Sequence, residues 1–158
     1  MSDAVEQVQE RSFVKGLVAG LVAGLVATAA KSLAEKIYPP RAEGQAEPPE
    51  VLAEKIAGHE LSGPAKAVAA ETIHWGFGAT AGAAYGVLAE YFPAATSKDG
   101  ASFGMALEAL THEGVLPAMG LSAAPEEQTA REHTSEMATH LLFGVVTETV
   151  RKFVRKML

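Results

Sequence analysis

Gly16-Leu17-Val18-Ala19-Gly20-Leu21-Val22-Ala23-Gly24-Leu25-Val26-Ala27 is one tetrad written three times over, and its reading decides the fold. The stretch from Phe13 to Ala30 is apolar except for Lys15, and Gly16, Gly20 and Gly24, then Thr28 and Ser32, recur every fourth residue. Residues four apart share one face of an α-helix. In water each mid-helix glycine costs about 1 kcal/mol relative to alanine. In a bilayer the same spacing lets two backbones approach closely, as in small-xxx-small helix pairing. The pattern predicts a helix over residues 12–37, closed at Tyr38-Pro39-Pro40-Arg41, because two consecutive prolines cannot extend it.

Outward from the repeat, the same spacing returns. His74, Gly78, Gly82 and Gly86 lie four apart in a second helix predicted over residues 65–92, and residues 72–89 hold no Asp, Glu, Lys or Arg. That run approaches the roughly 20 residues needed to cross the hydrocarbon. Trp75 at one end and Tyr85, Tyr91 and Phe92 near the other suit an interfacial belt of aromatic residues, and Pro93 closes the helix. A third helix is expected over 99–121, interrupted by Glu108, His112, Glu113 and Pro117. A fourth is expected over 130–156, with an uncharged core at 137–147 and a basic tail of Arg151, Lys152, Arg155 and Lys156. Residues 42–64 read as an acidic external loop holding one short helix over 49–59, and residues 1–11 as the start of a short surface helix. The fold class is therefore all-α: a polytopic membrane bundle of about four helices in one domain, 1–158. Its packing ridges are Gly16, Gly20 and Gly24 on one helix and Gly78, Gly82 and Gly86 on the next.

Composition sets the exclusions. Among 158 residues, 48% are hydrophobic, yet the mean hydropathy of +0.12 is low for a chain buried in lipid, so a soluble or peripheral bundle is the competing architecture. With no cysteine, disulfides, thiolate metal sites and a cysteine nucleophile are excluded. A net charge of −6 argues against a nucleic-acid binder, which needs a basic face. The polar start MSDAVEQVQERSF is unlike a cleavable signal. Clustered Lys and Arg near both ends favour cytoplasmic termini and an even number of crossings, with the acidic loops outside. The expected partners are the lipid bilayer and a second copy of the chain or a larger membrane complex.

Six short motifs occur in order: Ala34-Glu35 with Pro39-Pro40-Arg41; His74-Trp75; Ala89-Glu90-Tyr91-Phe92-Pro93; His112 with Leu116-Pro117-Ala118-Met119-Gly120-Leu121; Ser135-Glu136 with His140-Leu141; and Glu148 before Arg151-Lys152. This arrangement resembles the YagU-like proteins of the bacterial inner membrane over roughly residues 13–152. The resemblance implies several membrane-spanning helices and a location in the bacterial inner (cell) membrane. It supplies no substrate, cofactor or catalytic residue. The chain departs from the family in having fewer large apolar and aromatic residues in its third and fourth segments and a shorter first external loop.

The ionisable residues fall into register. Glu108 and His112 are four apart, as are Glu136 and His140, with His133 three before Glu136. His74 lies on the glycine ridge. Ionisable groups at membrane depth are costly and face a cavity or one another, so His74, Glu108, His112, Glu136 and His140 are expected to converge inside the bundle. Three roles suit them. They can hold the helices together by hydrogen bonds, handle protons or a small solute under envelope or acid stress, or bind a divalent metal. A structural or interaction subunit that uses the glycine ridges to associate is the alternative class. No HExxH, nucleophile elbow or phosphate loop is present, so neither enzymatic activity nor a cofactor is expected.

Overall fold

The computed structural model describes residues 10–158, and among these there are helices and turns and no strand. The chain runs through α1 (Phe13–Ile37), α2 (Pro48–Ala57), α3 (Gly63–Tyr91), a kinked turn (Pro93–Gly100) and α4 (Ala101–Leu110). A π turn (Thr111–Val115) then leads to α5 (Leu116–Ala118), a short turn (Pro125–Glu127) and α6 (Ala130–Met157). Of the surface helix expected over residues 1–11, residues 1–9 lie outside the described residues, and Glu10 and Arg11 are not helical.

Local chemistry sets the ends of these elements. Ser12 Oγ accepts the Lys15 N–H at 3.3 Å, and Thr129 Oγ1 accepts the Glu132 N–H at 3.1 Å, capping α1 and α6. Pro48 and Pro49 occupy the first turn of α2, where a missing N–H costs nothing, and the Glu47 N–H donates to the Glu50 carboxylate at 3.0 Å. The single helix expected over 99–121 is broken. In a regular turn the Pro117 ring would press on the Glu113 carbonyl, and the coil widens into the π turn one residue before Leu116.

The ridges of α1 and α3 meet face to face and antiparallel. A Cβ on Gly82 would stand 2.5 Å from both the Gly20 carbonyl oxygen and the Gly24 Cα, so the seam has no room for a methyl group. Gly16 faces Gly86, and Gly24 faces Gly78, in the same way. α6 lies antiparallel to α1, joined through Lys31 and Glu136 at one end and Glu10 and Arg155 at the other. It runs parallel to α3, where Tyr85 reaches Glu148 and Glu90 reaches Arg155. α4 packs antiparallel on α6, its Gly104 against His140 and Gly144. The direction of α1, α3, α4 and α6 therefore alternates.

The distribution of side chains is inverted relative to a water-soluble domain, whose interior holds Leu, Ile, Val and Phe. Here the buried apolar residues are mostly alanines, among them Ala19, Ala23 and Ala27 at 0% exposure. Twelve polar or charged residues among those described are buried, including Ser135, Glu136, Thr147 and Glu148. Twenty-five large hydrophobic side chains among the described residues are exposed, Leu17, Leu21, Val26, Phe77, Leu141 and Phe153 among them. Of the described helices, α1 alone is long and apolar enough to cross a membrane by composition. The four apolar spans expected from the sequence are thus reduced to one by that criterion; α4 is only 10 residues long, and α6 carries charges on both sides of its uncharged core.

Candidate functional site

Glu136 is the hub of the interior. It sits on the buried face of α6, one turn before His140, at 1% exposure. Its Oε2 is 3.3 Å from Lys31 Nζ, 3.4 Å from His112 Nε2 and 3.6 Å from His140 Nδ1, and its Oε1 accepts from Arg41 Nη1 at 3.2 Å. Lys31 is also paired with Glu35, and Arg41 Nη2 with Glu132 at 3.3 Å. The His112 and His140 rings meet nearly edge to face, with centroids 4.9 Å apart. His140 Nδ1 lies 2.9 Å from the Glu136 carbonyl, which can only accept, so Nδ1 carries the proton and the lone pair is on Nε2. A cavity of about 180 Å³ opens between this cluster and the Glu47–Pro48–Pro49 corner at the start of α2.

Three elements bring these side chains together. The buried stripe of α1 steps from Gly16 through Gly20, Gly24 and Ala27 to Lys31, delivering an ammonium group at the end of the small-residue seam. The Pro39-Pro40 break turns Arg41 back over Glu136. The π turn presents His112, a use of such turns common at functional sites.

The sequence-derived set divides. His112, Glu136 and His140 converge, with one donor atom from each within 4.8 Å of the other two. His74 lines the same cavity, but its ring is engaged by Ser32 Oγ at 3.1 Å and stands outside that trio. Glu108 is buried, does not line the cavity, and has Glu113 as its strongest charged neighbour. A pair five residues apart shares a face only where the turn widens, which the π turn does here. His133 is also separate. Its two ring nitrogens face Glu113 Oε1 and the Pro125 carbonyl, each at 3.0 Å, an arrangement that requires the doubly protonated ring. The Pro125 carbonyl, then the Glu113 charge, hold its pKa above the ordinary value.

A second buried network occupies the other end of the bundle. Arg151 donates to both oxygens of Glu148, Nε at 2.7 Å and Nη2 at 2.9 Å, while the Tyr85 hydroxyl donates to Glu148 Oε2 at 2.8 Å. Arg155 clasps Glu90, whose Oε2 also accepts the Ser12 N–H at 3.1 Å. Two expectations are corrected here. Tyr85 is no interfacial anchor, since it is 1% exposed, and of the basic tail Arg151 and Arg155 are interior members of ion pairs. Between the two networks Phe103 stacks on Tyr85 with centroids 4.3 Å apart and tilts against Phe143 at 6.2 Å.

A family model described as "Protein of unknown function (DUF1440)" matches residues 25–149. The chain belongs to this family. The matched segment includes Lys31, Arg41, His112, Glu136, His140 and Glu148 and stops short of Arg151 and Arg155. The narrower YagU-like likeness rests on the motifs alone. No curated protein and no solved structure matches the chain.

Sequence reasoning missed Lys31 and Arg41 as members of the site. The signal for Lys31 was present, since it continues the buried stripe of α1 at helical spacing. For Arg41 there was none, because its position depends on how the chain turns after Pro40.

Proposed function

We propose that this chain is a multi-pass membrane protein of the bacterial inner membrane whose polar interior carries protons or a small polar solute between two buried networks. The observation that supports the reading is the inverted side-chain distribution: large apolar groups outside, glycine, threonine and ion pairs inside. Large exposed apolar patches mark membrane or partner faces, and charges at membrane depth gather in the interior of a bundle.

The alternating directions of α1, α3, the run from α4 through the π turn to α5, and α6 support four crossings with both termini on one side. The basic residues near those termini favour the cytoplasm for that side. The Glu136 cluster and its cavity then open toward the opposite compartment. From Glu136 to Arg155 the buried face of α6 rises through 19 residue steps, about 28 Å at 1.5 Å each. That is close to the hydrocarbon thickness of about 30 Å. Along it the polar groups are interrupted only around Phe143 and Gly144, where Phe103 and Tyr85 close the path. Two half-paths separated by an aromatic plug suit gated movement of a proton or small solute. The alternative in which the glycine ridges join a second copy finds less support, because those ridges are spent on each other within the chain.

Purified protein reconstituted into vesicles with an internal pH dye tests the reading. An acid pulse outside should acidify the lumen faster than in protein-free vesicles, and His140→Gln and Glu136→Gln should remove the excess rate. Release of the protein from membranes by carbonate would refute the bilayer location, and equal rates with and without protein would refute proton movement.

A further inference from the structure

We infer that His112, Glu136 and His140 form a binding site for a single divalent transition-metal ion, with zinc the best chemical match. A tetrahedral ion with bonds of about 2.0–2.1 Å places its ligands about 3.3 Å apart. His112 Nε2 and Glu136 Oε2 stand 3.4 Å apart, and one donor atom from each of the three residues lies within 4.8 Å of the other two, with His140 Nδ1 3.6 Å from Oε2. Binding one ion through Nε2 of both rings requires the His140 ring and the Glu136 carboxylate to turn toward it. Two imidazoles and one carboxylate form a donor set that zinc takes readily, leaving a fourth position for water or a solute from the cavity.

The orientation of His140 is that of a metal ligand. A ligating histidine usually donates its other ring N–H to a carbonyl or carboxylate, which fixes the tautomer. His140 Nδ1–H is held by the Glu136 carbonyl at 2.9 Å, and the imidazole lines the cavity with no hydrogen-bond partner for Nε2 among the described residues.

Lys31 and Arg41 compete for the same carboxylate, and the structure provides for their displacement. Lys31 retains Glu35 if it leaves Oε2, and Arg41 binds Oε1 and Glu132 and need not move. The cavity is lined by Glu35, Glu47 and Glu136 against Lys31 and Arg41, a net negative charge that favours a cation. Desolvated charges are tolerated when they are balanced in this way.

The test uses the untagged full chain in detergent, stripped with a chelator and titrated with Zn²⁺ by calorimetry. One ion per chain should bind, and Co²⁺ in its place should give the intense visible absorption of a tetrahedral site. The double variant His112→Gln/His140→Gln should lose at least about 100-fold in affinity, while His133→Gln should bind as the parent does, with far-UV circular dichroism confirming helicity. No saturable Zn²⁺ binding, an octahedral Co²⁺ spectrum, or undiminished affinity in a folded double variant would overturn the site. The Co²⁺ spectrum of the parent decides the matter even if the double variant does not fold. The inference does not rest on proton movement. A chain that binds zinc and moves no protons would keep this site and lose the other reading.

Discussion

Replacing Gly82 by alanine adds a single methyl group and tests the seam on which the bundle is built. That methyl would stand 2.5 Å from the Gly20 oxygen and the Gly24 Cα, against an ordinary contact of 3.4 Å or more. α1 and α3 must separate by the difference, about 0.9 Å, and a gap of roughly 0.5–1 Å forfeits a quarter to a half of each dispersion contact along it. Both contacting atoms are backbone, so no side chain can move aside. Overpacking of this kind costs about 1–3 kcal/mol, which lowers the melting temperature by about 2–4 °C per kcal/mol in a chain of this length. Gly76 is the internal control. It lies in the same helix with nothing within 4 Å of an added Cβ, so Gly76→Ala should stabilise by up to about 1 kcal/mol through helix propensity. Thermal melts followed by circular dichroism in one detergent should move in opposite directions for the two variants. If Gly82→Ala melts at or above the parent temperature, the close approach of α1 and α3 is wrong.

Two further outcomes follow from the ion-pair networks. Tyr85→Phe removes a hydrogen bond to a charged, buried carboxylate and should cost about 1.5–3 kcal/mol without loss of helicity, because Arg151 still holds Glu148 on both oxygens; unchanged thermal stability would refute the Tyr85–Glu148 contact. His133 has its pKa raised in the folded chain, so its stabilising contribution is complete below the unfolded value and fades as pH rises through the folded one. Melting temperature should therefore fall from mildly acidic to mildly alkaline pH, and His133→Gln should flatten that slope; an identical slope in the variant would remove His133 as its source.

The sequence disclosed the fold where periodicity alone carried the information. Gly16, Gly20 and Gly24 repeat with the helical turn, as do Gly78, Gly82 and Gly86, and each set lies along a single face. The Pro39-Pro40 and Pro93 breaks were legible because proline lacks a donor wherever it sits. Glu136 and His140 share a face for the same local reason. What remained hidden depends on partners distant in sequence. Tyr85 looks like an interfacial aromatic until Glu148, 63 residues on, is known to lie beside it. Arg151 and Arg155 look solvated until Glu148 and Glu90 are found within reach. Glu108 and His112 matched a regular helical spacing, but Pro117 favours a wider turn nearby, and Glu108 was drawn toward Glu113 instead.

The polar face of α6 bears on how such a chain would be assembled in a bilayer. A charged residue near the centre of a membrane helix costs about 2.5–3.5 kcal/mol during insertion, and α6 carries Glu136, Glu148, Arg151 and Arg155 on one buried face. Entering lipid alone, it would meet the whole of that cost. The groups that offset it belong to segments made earlier: Lys31 on α1, Arg41 just beyond it, and Tyr85 and Glu90 on α3. α6, synthesised after them, would then insert against a surface already waiting for it. Chains truncated after α3 should remain in the membrane, whereas α6 expressed by itself should not enter.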